Sequence, residues 1–154
     1  MSDSESEEII FISNPDCPHC KQFQKDILIS CGKTPTEEII ENPVFTLKFS
    51  DKEIQLKILY ALNTKNLDSH RNENQIDPTV FDGTPFVCYI KKRNGQVIEN
   101  YHIKEYRLIL NKENKLDSII KGATRIFPMS VGQNTKLSSK KKYLKYKLKY
   151  LSMK

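Results

Sequence analysis

Apolar and polar positions along this chain follow two periods, and the switches between them mark out its elements. Residues 7–13, EEIIFIS, form a short β-branched apolar run ended by Asn14 and Pro15, which predicts a buried strand. From Pro18 to about Cys31 the spacing predicts a helix. Pro18 suits its first turn, Phe23, Ile27 and Leu28 share a face, and Gly32 ends it. TPTEEII at 34–40 predicts a short helical piece capped by Thr36. VFTLKFS at 44–50 alternates as a strand does. Ser50 and Asp51 then open a predicted helix through Leu62, with Ile54, Ile58 and Leu62 at helical spacing. This β-α-β-α order predicts two parallel strands joined by a right-handed crossover.

Residues 63–83 are polar and weakly patterned and predict a long loop. Residues 84–103, TPFVCYIKKRNGQVIENYHI, predict a β-hairpin, because Asn94-Gly95 lies between alternating runs. Residues 104–122 predict one helix closing at Gly122, with Leu108, Leu116, Ile119 and Ile120 as its apolar positions. The chain then divides into an acidic extension (1–6), one domain (7–122), a linker (123–136) and a Lys/Tyr/Leu-rich tail (137–154). The predicted order, β-α-β-α-β-β-α, is that of an α/β domain with a mixed central sheet flanked by helices.

With 154 residues the chain can bury a real core, and it contains no run of 18 apolar residues to span a membrane. It opens on Asp3, Glu5, Glu7 and Glu8, unlike the basic-then-apolar start of a secretory leader. The expectation is a cytoplasmic, reducing setting, where four cysteines suggest catalysis or metal before a disulfide framework. The net charge of +6 is unevenly spread. The last acidic residue is Asp117; residues 118–154 carry ten Lys or Arg, leaving 15 basic against 19 acidic residues before them. The body is therefore about −4 and the C-terminal region +10.

The chemistry concentrates in SNPDCPHCKQF. A cysteine at a helix N-terminus meets free backbone N–H groups at the positive end of the macrodipole, and both favour thiolate over thiol. Cys17 is the more exposed of the pair, and Cys20, three residues on, lies on the same face within reach of a disulfide. His19 between them adds a donor and, when protonated, a positive charge, which Asp16 opposes. Stabilising the thiolate makes the corresponding disulfide a stronger oxidant. Three readings stand beside each other: a redox dithiol, half of a metal site, and inert cysteines. A zinc site needs two more ligands, and the sequence holds no second C-x-x-C and no H-x3-5-H, so no metal and no cofactor are expected.

The succession of strand, C-x-x-C helix, strand, helix and Thr84-Pro85-led hairpin and helix resembles the thioredoxin-like superfamily, over about residues 7–122. The resemblance implies a thioredoxin-like fold and a thiol–disulfide oxidoreductase. Cys17 would be the nucleophile, Cys20 the resolving thiol, His19 the tuner of Cys17, and Pro18 the proline of the active-site motif. It further implies that Pro85 is cis, beside the active-site cysteines, and that Thr84 and Pro85 bind the backbone of extended substrates. Cys-Pro-His-Cys is similar to the active site of strongly oxidising periplasmic thiol oxidases. The Gly83-Thr84-Pro85 segment is similar to that of periplasmic disulfide isomerases, and Cys-Pro-x-Cys also to glutaredoxins. The chain departs from thioredoxins in having no Trp and in carrying Phe11 where they bury a carboxylate, and from glutaredoxins in lacking their Gly-Gly segment. The implied partners are protein thiols and disulfides, with glutathione as a small-thiol alternative.

In the tail, Leu137, Leu144 and Leu151 recur every seven residues with Leu148 between, while Tyr143, Tyr146 and Tyr150 interleave with Lys. A solvated extension, a self-association helix giving a homodimer, a nucleic-acid arm and an anionic-membrane contact all fit this pattern. The tail resembles Lys/Tyr/Leu-rich termini of giant DNA virus proteins, which would place the chain in host cytoplasm or virion. A different class of function is a thioredoxin-like binding module whose loop and tail contact partners. Cys88 is expected in the core, Cys31 as structural, and His70 and His102 on the surface.

Overall fold

Among the described residues the central strand is the first in sequence order. In the computed structural model, which describes residues 4–126, β1 (Glu5–Ser13) has parallel β3 (Glu53–Tyr60) on one side and antiparallel β4 (Phe86–Arg93) on the other. A strand with neighbours on both edges and layers on both faces must be apolar throughout, and Ile9 to Ile12 are all buried. The full sheet is mixed and six-stranded, in the order β2-β3-β1-β4-β5-β6, with β2 at Val44–Lys48, β5 at Gln96–His102 and β6 at Thr124–Arg125.

One face of the sheet carries Ile9, Phe11, Leu56, Ile58 and Val87. It packs against Phe23 and Ile27 of α1 (Pro18–Ser30), against Ile109 of a 3-10 segment (Tyr106–Leu110), and against Leu116 and Ile119 of α3 (Leu116–Lys121). Phe23 sits edge-on between Phe11 at 4.9 Å and Tyr106 at 4.6 Å, the T-shaped geometry that aromatic quadrupoles favour. The opposite face carries Ile10, Ile12, Phe86 and Cys88, covered by Ile76 and by Leu67 of α2 (Thr64–Glu73). The architecture is thus α/β, a mixed sheet with helices on both faces.

Several expectations need correcting. Residues 53–60 are a strand, not a helix. Ile54 and Ile58 lie on one side under either period, but Leu56 is also buried while Glu53, Gln55 and Lys57 are exposed, and only period 2 does that. The parallel partner of β1 is therefore β3; the strand read at 44–50 is β2, antiparallel to β3 at the edge. Asp51 does cap a helix, but a distant one: its carboxylate accepts the Leu116 and Asp117 backbone N–H groups at 2.8 and 3.3 Å. Residues 34–40 form no helix; their carbonyls, at Thr36 and Glu38, accept from the buried Gln24 side chain instead. The loop expected over 63–83 contains α2, the stretch 104–122 splits into the 3-10 segment and α3, and β6 lies in the expected linker. β1 begins at Glu5, inside the expected extension. The 84–103 hairpin turns at Asn94 (φ 53°) and Gly95 (φ 82°), the positive-φ pair of a tight two-residue turn.

His102 is not a surface residue. Its ring is 4% exposed and stacks on Phe86 at 4.4 Å and 18°, and burial holds its pKa below the ordinary histidine value. His70 is half-buried, its Nε2 3.0 Å from the Tyr60 carbonyl; a carbonyl only accepts, so Nε2 carries the proton. Cys88 is fully buried on β4, where burial raises its pKa far out of the working range. The expectations for residues 1–3 and for the tail lie outside the described residues.

Candidate active site

Two chain segments far apart in sequence meet at one end of the sheet because the β1–β4 pairing is antiparallel. Ile12 pairs with Phe86, so the loop leaving β1 lies beside the loop entering β4. The first carries Asn14 to Cys17 and the second Gly83, Thr84 and Pro85. The Thr84-Pro85 peptide bond is cis. Cys17 Sγ lies 3.6 Å from the Thr84 carbonyl oxygen, to which the thiol donates.

Cys17 is the N-cap of α1, in extended conformation (φ −95°, ψ 115°), with Pro18 in the first helical turn. Proline has no N–H, so the donors left for the cap are those of His19 and Cys20. Cys17 Sγ accepts the Cys20 N–H at 3.3 Å. Asn14 holds the loop in place: its carbonyl accepts the Cys17 N–H at 3.0 Å and its side-chain oxygen accepts the Asp16 N–H at 2.9 Å.

The two sulfurs are driven apart in acidity. Partial burial pushes the Cys17 thiol up, but the Cys20 thiol, the Cys20 and His19 backbone N–H groups and the Thr84 side chain outweigh it. The net direction is down. Cys20 is fully buried, and desolvation first, then the neighbouring Cys17, push it up to about 11 against the lowering effect of the Asn14 backbone and Thr84. The arrangement favours a thiolate on the half-exposed sulfur and a proton on the enclosed one. Such a pair can attack an incoming disulfide with Cys17 while Cys20 waits. Both cysteines are free thiols here.

Of the residues singled out in the sequence, Cys17, Cys20, Thr84 and Pro85 converge. Pro18 and His19 are exposed beside them, and His19 reaches Cys17 through its backbone amide. Any residue but proline at that position supplies such an amide. Cys31 sits at the other end of α1 with its Sγ 3.5 Å from the Thr46 carbonyl. Phe11 is buried on β1 against Phe23, so no carboxylate enters from that position. Among the described residues, no three His, Cys, Asp or Glu side chains gather as metal ligands do, and no helix is long and apolar enough to cross a membrane.

Two polar residues with a structural part were missed in the sequence, one at the site and one that only anchors α1. Asn14 reads there only as a strand terminator, although Asn-Pro after a strand is also a turn that can present backbone groups to the next helix. The other is Gln24, one turn after Cys20. It is 2% exposed, accepts the Tyr60 hydroxyl at 3.0 Å, and ties residues 36–38 to α1. Its place on the apolar face of α1 was the available signal.

No family model, no curated protein and no solved structure matches this chain.

Proposed function

We propose that this chain is a thiol–disulfide oxidoreductase of the thioredoxin-like type. The observation that carries the proposal is the placement of Cys17: N-cap of α1, its sulfur held by the Cys20 amide and set beside a cis Thr84-Pro85 bond. With β2 set aside as an addition, the order β1, α1, β3, α2, Thr84-Pro85, β4–β5 hairpin and α3 also supports it.

In the reducing direction the Cys17 thiolate attacks one sulfur of a partner disulfide. That bond breaks, the partner's other sulfur leaves as thiolate, and Cys17 is left in a mixed disulfide. Cys17 then carries no charge, so its contribution to raising Cys20 disappears. Cys20 gives its proton to the partner thiolate that has already left or to water, attacks the Cys17 sulfur, and releases the partner's second sulfur as thiolate. Two electrons have passed to the partner and a Cys17–Cys20 disulfide remains. The oxidising direction is the reverse, and no cofactor enters either. Thr84 and Pro85, with backbone at the mouth of the site, would position the partner chain, whose substrates are protein thiols and disulfides.

The test is disulfide exchange with a model protein disulfide together with a redox titration of the pair against glutathione. The expected result is a two-electron transition that Cys17→Ser abolishes, with Cys20→Ser trapping mixed disulfides. Full exchange by Cys17→Ser, or no titratable pair, would overturn the proposal and leave a binding module in its place.

A further inference from the structure

The site just described lies at the N-terminal end of α1; a separate cavity of about 420 Å³ opens at the other end. Thirteen helical residues at 1.5 Å each put the two about 20 Å apart. The volume falls within the range of small-molecule sites, roughly 300–1,000 Å³.

The gap has a local cause. β2 is an edge strand, and α1 stops beside it at Ser30. Gly32 then takes φ +73° and the Lys33 N–H bonds back to the Leu28 carbonyl at 2.8 Å, so the chain turns away before covering β2. The cavity's deep wall is apolar: Phe45, Leu47 and Ile109 are at most 6% exposed. Val44 at its margin is 43% exposed, an apolar side chain left in water.

The charge around the cavity is of one sign. Lys33, Lys48 and Lys112 line it and no Asp or Glu does. Among the described residues none of the three makes an ion pair, so each ammonium is available to a ligand. This cationic rim stands on a body whose acidic residues outnumber its basic ones. Three ammonium groups about one opening repel each other, and an anion between them removes that repulsion. The helix C-terminus nearby contributes only about half a negative charge, and its last carbonyls are already bonded to the Cys31, Gly32 and Lys33 N–H groups.

We propose that this cavity binds a small organic anion: an apolar ring or short chain bearing a carboxylate, sulfonate or phosphate. Its body would lie on Phe45, Leu47 and Ile109, its head among Lys33, Lys48 and Lys112. This site is independent of the thiol–disulfide reading.

The test uses the full chain with two probes of one ring system, 1-anilino-8-naphthalenesulfonate and its uncharged relative N-phenyl-1-naphthylamine. The C-terminal region carries a net charge of +10, which attracts anions without a defined site, so the readout must be local. Cys31 lies in the cavity wall, and its alkylation by iodoacetamide, followed by peptide mass mapping, reports occupancy. The sulfonate should slow Cys31 labelling saturably, and the uncharged probe should require at least about tenfold higher concentration. Changing Lys33, Lys48 and Lys112 together to Gln should weaken protection about tenfold or more. The same change at Lys65, Lys104 and Lys121, none of which lines the cavity, should leave it intact. Unprotected Cys31 at saturating sulfonate, equal protection by both probes, or equal loss in the two triple variants would each overturn the proposal.

Discussion

Cys17 and Thr84 are 67 positions apart in sequence, yet the sulfur of one touches the backbone carbonyl of the other at 3.6 Å. Two facts bring this about. β1 and β4 are antiparallel, so the exit of one lies beside the entrance of the other, and the N-cap conformation of Cys17 turns its side chain across the helix end.

The Thr84 side chain lowers the pKa of both sulfurs. Thr84→Val keeps the shape and the backbone and removes the hydroxyl. One hydrogen bond is worth about 1 kcal/mol, so iodoacetamide labelling of Cys17 at pH 7 should slow by roughly fivefold. An unchanged rate would show that the Cys20 thiol and the backbone donors hold the thiolate without Thr84.

His19 acts on Cys17 through an amide that survives most substitutions. His19→Ala should therefore leave Cys17 labelling at pH 7 within about threefold of the parent. His19→Pro removes the amide itself and should slow it further. A large loss in the Ala variant would assign the effect to the imidazole.

Labelling against pH should separate the cysteines. Cys17 should react with a midpoint below the ordinary thiol range, and Cys20 only as the pH approaches about 11. In Cys17→Ser the Cys20 midpoint should fall, because a neighbour that raises it is gone. A Cys20 midpoint that stays put would mean burial alone sets it.

Glu7 accepts from the Tyr89 hydroxyl at 2.7 Å and from Lys52 at 3.3 Å. Burial raises its pKa, these partners outweigh that effect, and the folded value lies below the unfolded one. Its contribution to stability is therefore present above the unfolded carboxylate pKa and is lost as pH falls through the folded value. Urea midpoints between pH 6 and pH 3 should decline more steeply for the parent than for Glu7→Gln. Parallel curves would remove Glu7 from acid unfolding.

Leu56 is fully buried between its exposed neighbours on β3. Leu56→Ala should cost about 2–5 kcal/mol, read from urea denaturation, whereas Gln55→Ala should change stability by less than about 0.5 kcal/mol. Similar losses at both positions would contradict the strand register.

Leu56 also explains where sequence reading went astray. Ile54 and Ile58 agree with a strand and with a helix, because four residues is an even number of strand steps and about one helical turn. The residue between them decides, and Leu62, enlisted to complete a helical stripe, is 59% exposed. α2 was illegible for another reason. It buries no residue fully and begins with reciprocal side-chain bonds, Asn63 accepting the Asn66 N–H and Asn66 accepting the Leu62 N–H. That resembles the capping box, with Asn in place of Ser and Glu. The 84–103 hairpin and α1 were legible because their signals are local: Asn-Gly at the turn, proline in the first helical turn, glycine after the end. The meeting of Cys17 with Thr84 is not local: the residues themselves give no sign of it, the family resemblance alone implied Pro85 beside the cysteines, and in the fold the β1–β4 pairing brings it about.

The position of β1 sets a constraint on how the molecule is made. β1 precedes both of the neighbours it needs, which follow in the chain at residues 53–60 and 86–93. Until β4 has followed it out of the ribosome, β1 is an apolar segment with an unpaired edge in the nascent chain, the kind of surface that aggregates or recruits chaperones. Synthesis order and sheet order run against each other, so every copy passes through an interval of exposure before its cysteines can meet Thr84.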